Sequence, residues 1–506
     1  MNGHAETNGH SKSNGVTASN GHSQNGLTNG AVKKTNQITI GATAQSSFDT
    51  SGYPKGRKDD PYIYQVGFGN MFASQALPGV LPEGQNSPQN NKYDLYAEGI
   101  NGTSMTAPRA SNQRTWLYRI LPSLSHNGTR HTTQNPYLES DFSPSNPKVH
   151  VNHTQITWSP HTVPTDEKVN FIHGIRTMGG NGTAVSKEGM AMHIYVANED
   201  MEKTALVNND GDFLIVPDLG RLDIQTEFGR LMVAPGEIVV IQSGMRFRVS
   251  LPDGPSRGTI YEVFGNHFVL PELGPLGANG MAHSRDFEYP VASFDVDQTQ
   301  WSIIHKTGGK LFEAKQNHTP FDVVAWHGNY IPYKYDLNKF SIVQATDKDH
   351  TDPSVYCVLM VQSKLPGISF LEFCVFHAFW TTTENTFRPP YFHRNSAAEY
   401  VGFVKGGRGP GGMFGYSGFI PHGPTEAEWQ AGATEELVPK RLFEGTIGTL
   451  IEPYQMLLLT DYAITCKEYS EYSQEPYTYL PNFLKHLDNV NAELKASGRP
   501  EITPLL

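Results

Sequence analysis

Short apolar segments separated by turn residues are the feature that most constrains the fold of this chain. The clearest stretch, Thr226–Leu251, reads TEFGRLMV, then APGE, then IVVIQSGMRFRVSL, and predicts consecutive antiparallel strands. Glycine (49) and proline (34) together supply roughly one residue in six of the 506, which is above their usual share. Turn residues at this density favour a β architecture over a helical one.

Helical periodicity is confined mainly to the C-terminal part, where Leu480–Lys495 places apolar residues near i, i+3 and i+7 and predicts a helix. Further strand-like segments are Asp212–Val216, Ser354–Gln362, Ile368–Phe376, Thr446–Ile451 and Met456–Thr460. We therefore predict a mainly β chain of two jelly-roll or β-sandwich units with few helices.

The N-terminal tract is compositionally biased. Asn-Gly pairs recur every six residues, at Asn2, Asn8, Asn14 and Asn20. The tract holds almost no aliphatic or aromatic side chains, so it cannot bury enough surface to offset the entropy of ordering. Residues 1–50 are therefore predicted to be a disordered tail, although its histidines leave weak metal chelation as an alternative.

Charge and cysteine content exclude several classes of protein. The formal net charge of −11 offers no basic surface for nucleic acid or an anionic membrane. Three widely spaced cysteines form neither a disulfide framework nor a thiolate metal site, and they fit a reducing compartment. No apolar run approaches the ~18 residues of a membrane span, and no apolar signal segment stands near Met1. We expect a cytoplasmic protein.

Two histidines and a glutamate form the first candidate site. His393 and Glu399 occur in RPPYFHRNSAAEY, and His422 occurs in FIPHGP. Two imidazoles and one carboxylate are the ligand set of non-haem Fe(II) enzymes. The even offset between His393 and Glu399 would point both to one face of a continuous or interrupted strand, with His422 on a neighbouring strand. On spacing alone, ordinary surface or core histidines remain the alternative.

His327 is the second candidate. It lies among aromatic and turn residues in Val323–Tyr335 (VVAWHGNYIPYKY). A histidine in such a pocket is suited to act as a general base near neutral pH. A hydrogen-bonded core histidine is the alternative interpretation.

Long motifs in a fixed order point to a known family. They are GFGNMFASQALPGVLPEGQNSPQ at Gly67–Gln89, LYAE at Leu95–Glu98, TWLYRILPS at Thr115–Ser123, DGDFLIVP at Asp210–Pro217, GPLGANG at Gly274–Gly280, FDVVAWHGNYIPYKYDL at Phe321–Leu337 and FRPPYFHRN at Phe387–Asn395. From about Tyr62 to the C-terminal region, the chain resembles the homogentisate 1,2-dioxygenase family.

The resemblance implies two cupin-like domains, which we place at residues 51–315, without metal, and 316–506, which is catalytic. His393, Glu399 and His422 resemble the family's ligands to Fe(II), and His327 resembles its catalytic base. The implied reaction uses O₂ to open the ring of homogentisate, a dihydroxy aromatic acid, and gives maleylacetoacetate in tyrosine and phenylalanine catabolism. No organic cofactor is implied. Homotrimers paired into homohexamers are the implied assembly.

One segment departs from the family pattern. Glu399 and His422 are 23 positions apart, several fewer than the family pattern leads us to expect. We expect His422 to border the substrate, and we expect Arg408 or Tyr416 to bind the carboxylate of the substrate. Arginine suits this role because its planar guanidinium can donate two parallel hydrogen bonds to a carboxylate.

Two alternative functions remain open. The first is a related dioxygenase that cleaves another para-dihydroxy aromatic, because pocket contacts set specificity. The second is an inactive cupin-like binding or structural protein, against which the intact set of three ligand candidates and His327 argues.

Overall fold

The computed structural model describes residues 38–41, 59–132, 135–349, 353–471 and 478–503. Most of the predicted tail, residues 1–37 and 42–50, lies outside the described residues. Within that tail, however, the β-branched segment Ile38–Gly41 forms a strand.

The strands of the first half, in chain order, are β1 Ile38–Gly41, β2 Tyr64–Val66, β3 Phe72–Gln75, β4 Tyr96–Asn101, β5 Arg114–Arg119, β6 Thr129–Thr132, β7 Val149–Val151, β8 Ile156–Trp158, β9 Ile175–Thr183, β10 Glu188–Ala197, β11 Thr204–Asn208, β12 Gly211–Leu219, β13 Leu222–Thr226, β14 Gly229–Val233, β15 Glu237–Ile241 and β16 Arg246–Ser250. Those of the second half are β17 Ser256–Phe264, β18 Phe268–Val269, β19 Phe287–Pro290, β20 Ser293–Val296, β21 Trp301–Thr307, β22 Lys310–Gln316, β23 Val323–Gly328, β24 Tyr333–Asp336, β25 Cys357–Gln362, β26 Ser369–Thr381, β27 Glu399–Lys405, β28 Met413–Tyr416, β29 Lys440–Pro453, β30 Leu458–Thr460 and β31 Tyr469–Glu471.

Helices are short. The α-helices are α1 Phe171–Gly174, α2 Glu426–Thr434, α3 Asp461–Thr465 and α4 Leu487–Ala496. Single 3₁₀ turns occur at Lys92–Asp94, Gly274–Asn279, Ser284–Asp286, Leu337–Lys339, Pro353–Tyr356 and Asn482–His486. The mainly β prediction is confirmed, and the helix predicted at Leu480–Lys495 is present as a 3₁₀ turn followed by α4. In the described part of the chain, no helix is long and apolar enough to cross a membrane.

The described strands assemble into five sheets. The ten-stranded sheet has the order β2-β19-β24-β15-β12-β17-β10-β9-β30-β7, and a seven-stranded sheet has the order β14-β13-β16-β11-β21-β22-β6. An eight-stranded sheet, β18-β25-β26-β29-β27-β28-β8-β31, carries Glu399 and Tyr416, and a four-stranded sheet, β3-β23-β5-β4, carries His327. β1 pairs with β20 alone.

The stretch Thr226–Leu251 contains the predicted strands, but they are not all neighbours. β14 pairs with β13, whereas β15 pairs with β12 and β24 in a different sheet. Every residue of β15 is buried, as is typical of a strand whose apolar run, here Ile238–Ile241, is covered on both faces. The expectation of consecutive neighbouring strands is therefore wrong, because successive strands alternate between opposed sheets.

Residues Ile38–Leu506 cluster into one unit. The ten-stranded and eight-stranded sheets each combine strands from either side of the predicted boundary: β24 joins β15 in the first, and β8 joins β28 in the second. The division at residues 315 and 316 stays a prediction.

Candidate metal centre

A hairpin positions the carboxylate of the site. β27 begins at Glu399, and its pairing with β28 places Glu399 opposite Tyr416 and Gly402 opposite Met413. Gly406–Gly412 is therefore part of the hairpin tip, at the end of the strands remote from Glu399. Gly406 and Gly407 both have positive φ, a backbone conformation that favours glycine in tight turns.

The two histidines are joined by their backbones. The N–H of His393 donates to the carbonyl of His422 at 3.0 Å, and the reverse bond measures 3.1 Å. A bend at Ser396–Ala397 separates this isolated bridge from β27. The expectation of one strand from His393 to Glu399 is therefore wrong, as is that of His422 on a neighbouring strand, because both histidines lie outside the strands and pair with each other in an isolated bridge. His422 reaches the site from the segment after β28.

The three side chains converge. Oε1 of Glu399 lies 3.2 Å from Nε2 of His422 and 3.6 Å from Nε2 of His393. Each residue offers one ligand atom within 4.8 Å of the others. Such a cluster can hold a metal ion on one side and leave the other side open.

The ring nitrogens are oriented for coordination. Nδ1 of His393 lies 2.7 Å from the carbonyl of Tyr391, and Nδ1 of His422 lies 2.9 Å from the carbonyl of Ile420. Because a carbonyl only accepts, each Nδ1 carries a proton, and each Nε2 faces the carboxylate. Nε2 of His422 is buried and has no aligned hydrogen-bond partner among the described residues. An unpartnered imidazole nitrogen beside a carboxylate is the arrangement expected where a cation binds.

Electrostatics keep Glu399 ionised. Burial raises its pKa, but the two imidazoles outweigh burial and hold the pKa at about 2. The carboxylate in turn raises the pKa of His393, against the opposing effect of burial. The site therefore attracts positive charge, which either a proton or a metal ion supplies.

Asn395 was missed by sequence reasoning. Its Nδ2 donates to Oε1 of Glu399 at 2.5 Å, so it fixes the orientation of the carboxylate. Its position two residues after His393 and four before Glu399 was the available signal.

Tyr416 borders the cluster, and Arg408 lies farther out. The ring of Tyr416 stacks on His422, with centroids 4.2 Å apart and planes at 5°. Phe414, two residues earlier on the same face of β28, meets Tyr416 edge-on at 5.7 Å. The guanidinium of Arg408 lies over Phe414 at 4.9 Å. Two aromatic rings thus separate Arg408 from His422, and the predicted role of Arg408 in carboxylate recognition stays a prediction.

His327 lies on β23 of the four-stranded sheet. Its Nε2 is 3.3 Å from the hydroxyl of Tyr118, whose own proton is donated to the carbonyl of Asn86 at 2.7 Å. Burial lowers the pKa of His327. Among the residues the structure describes, its side chain has no contact with Glu399 or either of the other ligand candidates.

The strand of His327 is held by a buried ionic network. Arg119, at the end of β5, is fully buried and bonds Asp322, just before β23, at 2.8 and 3.1 Å. It also pairs with Glu227 at 2.8 Å and with Glu98 at 3.1 Å. Because breaking such a network leaves a buried charge unpaired, it fixes the register of β23 beside β5.

The sheets and the three converging side chains define a mainly β protein with a cluster of two histidines and one carboxylate. The family model described as "Homogentisate 1,2-dioxygenase N-terminal" matches residues 63–337, and "Homogentisate 1,2-dioxygenase C-terminal" matches residues 338–483. The chain belongs to the homogentisate 1,2-dioxygenase family.

Curated relatives agree with that assignment. The Homogentisate 1,2-dioxygenase of Caenorhabditis elegans is 46% identical over 417 residues, covering 80% of this chain and 94% of the relative. The protein of that name from Drosophila melanogaster is 46% identical over 440 residues, covering 83% and 98%. That of Homo sapiens is 42% identical over 414 residues, covering 79% and 92%. These relatives are matched over nearly their whole length.

Proposed function

We propose that this chain is an Fe(II)-dependent ring-cleaving dioxygenase that converts homogentisate and O₂ to maleylacetoacetate. The observation that carries the proposal is the convergence of His393, Glu399 and His422, with both Nδ1 atoms engaged by carbonyls. Iron(II) held by these three residues would supply Lewis-acid and redox chemistry, with coordination positions left for substrate and O₂.

Aromatic side chains surround the cluster and suit an aromatic substrate. Tyr416 presents its ring beside His422, and Tyr391 lies 5.0 Å from the ring of His393. Phe392 and Phe419 are substantially exposed nearby. A dihydroxyphenyl ring would pack against these surfaces and displace water from the cluster.

His327 is proposed to accept the proton of a ring hydroxyl. Since the one proton of Tyr118 is donated to Asn86, its oxygen accepts from Nε2–H of His327. Nδ1 is then the basic nitrogen, and burial favours its neutral form. The role requires one substrate molecule to lie between His327 and the cluster.

A related dioxygenase acting on a different para-dihydroxy aromatic is the second candidate. It is favoured by the 23-position spacing between Glu399 and His422 and by the position of Arg408 over Phe414. The iron chemistry would be unchanged, and only the contacts to the acid group would differ.

Oxygen uptake by the iron-loaded protein distinguishes these functions. With homogentisate, we expect stoichiometric O₂ consumption and the ring-fission product by absorbance. Turnover only with another dihydroxy aromatic acid would favour the second candidate. No turnover with any of them, in protein that retains iron, would overturn both. His393→Ala should abolish iron binding, whereas His486→Ala, at an exposed histidine outside the site, should not.

The remaining parts of the proposal concern the assembly and compartment. We expect a cytoplasmic enzyme that forms homotrimers or homohexamers, as the family resemblance implies. Light scattering of the purified protein, with a monomer of 56.0 kDa as the reference, tests the assembly.

A further inference from the structure

A second group of metal-ligating side chains lies apart from the candidate metal centre. His161, Cys466 and Glu468 each offer one ligand atom within 4.8 Å of the others. His161 follows β8, and Cys466–Glu468 lead into β31, which pairs with β8. The N–H of Ser159 donates to the carbonyl of Glu468 at 2.9 Å, so the sheet edge brings these distant segments together.

The carboxylate of Glu468 is largely buried, and its two contacts with charged groups are long. Its side chain is 8% exposed, and the charged groups nearest to it are Nδ1 of His161 at 3.6 Å and Nζ of Lys467 at 3.8 Å. Both distances exceed hydrogen-bond length. Its pairing is therefore weak for a carboxylate with so little exposed surface. Buried carboxylates are normally hydrogen-bonded, paired or coordinated to a metal.

His161 is similarly under-satisfied. Its side chain is 4% exposed, and its Nε2 is buried with no partner in the described part of the chain. Nδ1, the nitrogen beside Glu468, lies 3.3 Å from the hydroxyl of Tyr462. A hydroxyl can either donate or accept, so this contact leaves Nδ1 able to act as a metal ligand.

Cys466 completes the donor set. It caps the C-terminus of α3 and is only partly buried, and its thiol donates to the carbonyl of Ala463 at 3.6 Å. Burial, with Glu468 beside it, raises the pKa of the thiol. Binding a cation would require the thiol to lose its proton, as metal-ligating cysteines do.

Neighbouring cations are bonded elsewhere. Nη2 of Arg257 lies 2.6 Å from Oδ1 of Asp218, and Nη1 donates a hydrogen bond to the carbonyl of His161 at 2.9 Å. The guanidinium of Arg176 lies over the ring of Tyr137 at 4.3 Å. Neither guanidinium has a hydrogen bond to Glu468 among the described residues.

We propose that His161, Cys466 and Glu468 form a second metal site for a divalent ion of the zinc class. One nitrogen, one sulfur and one oxygen donor are ligands that Zn²⁺ takes at about 2.0–2.3 Å. Small inward movements of the three side chains would close the cluster on such an ion, with Tyr462 beside it. The cluster of His393, Glu399 and His422 has no sulfur, so the two sites are separable by spectroscopy.

Cobalt(II) is the probe for this site. Metal-free full-length protein titrated with Co²⁺ should develop a cobalt–thiolate charge-transfer band whose final intensity corresponds to one thiolate-bound Co²⁺ per chain, whether or not the other cluster also takes Co²⁺. Cys466→Ser should abolish the band. Cys374→Ser is the matched control, because Cys374 lies in a separate group with Cys357 and Glu372, and it should keep the band. Glu468→Gln should weaken Co²⁺ binding at least about 10- to 100-fold, the usual effect of losing even an outer-shell partner.

Three results would overturn the proposal: no thiolate band in the wild-type protein, a band that persists in Cys466→Ser, or a band lost in Cys374→Ser alone. A measurement on the wild-type protein tests the site even if a variant misfolds. Zn²⁺ should slow alkylation of Cys466, read by peptide mass, and an unchanged alkylation rate would contradict the site. His393→Ala should leave the band intact, so failure of the iron assignment would not be confused with failure of this one.

Discussion

The phenol ring of Tyr416 lies flat on the imidazole of His422, at 4.2 Å between centroids and 5° between planes. The same tyrosine stands opposite Glu399 across the β27–β28 pair. One side chain therefore limits the motion of one proposed ligand and neighbours a second.

Replacing Tyr416 by alanine should weaken iron retention roughly two- to tenfold, since an aromatic pair contributes about 0.5–1.5 kcal/mol beyond burial. Tyr416→Phe keeps the stacked ring and should retain wild-type iron affinity. If the hydroxyl contacts substrate, Tyr416→Phe should raise KM at unchanged iron content. Iron titration and steady-state kinetics measure the two effects, and unchanged iron affinity in Tyr416→Ala would refute the orienting role.

Loss of the amide that holds Glu399 should have a larger effect on the metal. Asn395→Ala removes the donor to Oε1, and we expect iron affinity to fall about 10- to 100-fold, as is typical for such partners. Asn209→Ala, at an exposed turn position, is the control and should bind iron normally. Wild-type affinity in Asn395→Ala would show that the hydrogen bond does not orient the carboxylate.

His327→Gln tests the general base. The ring-opening rate should fall about 10²- to 10⁴-fold, the usual contribution of a positioned base, while iron content stays unchanged. Tyr118→Phe removes only the acceptor of Nε2–H and should cause a smaller loss. A His327→Gln enzyme with the wild-type rate would exclude the residue from proton transfer.

A buried ion pair should make stability fall at alkaline pH. Nδ1 of His267 lies 2.7 Å from Oδ2 of Asp212, and Nε2 lies 2.9 Å from the carbonyl of Gly102. Both ring nitrogens face acceptors, so both must donate, and the ring is an imidazolium. Burial lowers the pKa of His267, but Asp212 outweighs burial and raises it to about 9.

Because the folded pKa is higher than the unfolded value of about 6.5, this stabilisation is complete below about pH 6.5 and is lost as pH rises through 9. The unfolding free energy should decrease by up to roughly 3 kcal/mol across that interval, at about 1.4 kcal/mol per pKa unit. Urea unfolding at several pH values measures it. In His267→Gln the corresponding part of the alkaline decrease should vanish, and an unaltered pH profile would contradict the assignment.

Local signals sufficed for much of the fold. β-branched runs and turn glycines identified β12, β15, β25 and β26, because alternation and turn chemistry act within a few residues. They could not show that β14 and β15 belong to different sheets. The sheet that a strand joins depends on which distant strands cover its apolar side chains. The two-residue alternation of side chains along a strand is the same in either sheet, so it does not identify the sheet.

The candidate site shows the same limit. The offset between His393 and Glu399 was visible in the sequence, whereas the backbone bridge from His393 to His422 is formed across more than twenty residues. The grouping of His161 with Cys466 and Glu468 had no sequence signal, since the chain between them contributes most of the fold. Residues that meet only through tertiary packing leave no local pattern.

The β27–β28 hairpin places Glu399 and the glycine-rich turn at opposite ends of its two strands. The register that sets Glu399 opposite Tyr416 is fixed at the open end, whereas Gly406–Gly412 is at the closed end. Residues can be added to or removed from the tip at small entropic cost without shifting that register. The length of this turn and the geometry of the proposed ligand Glu399 are therefore set independently of each other.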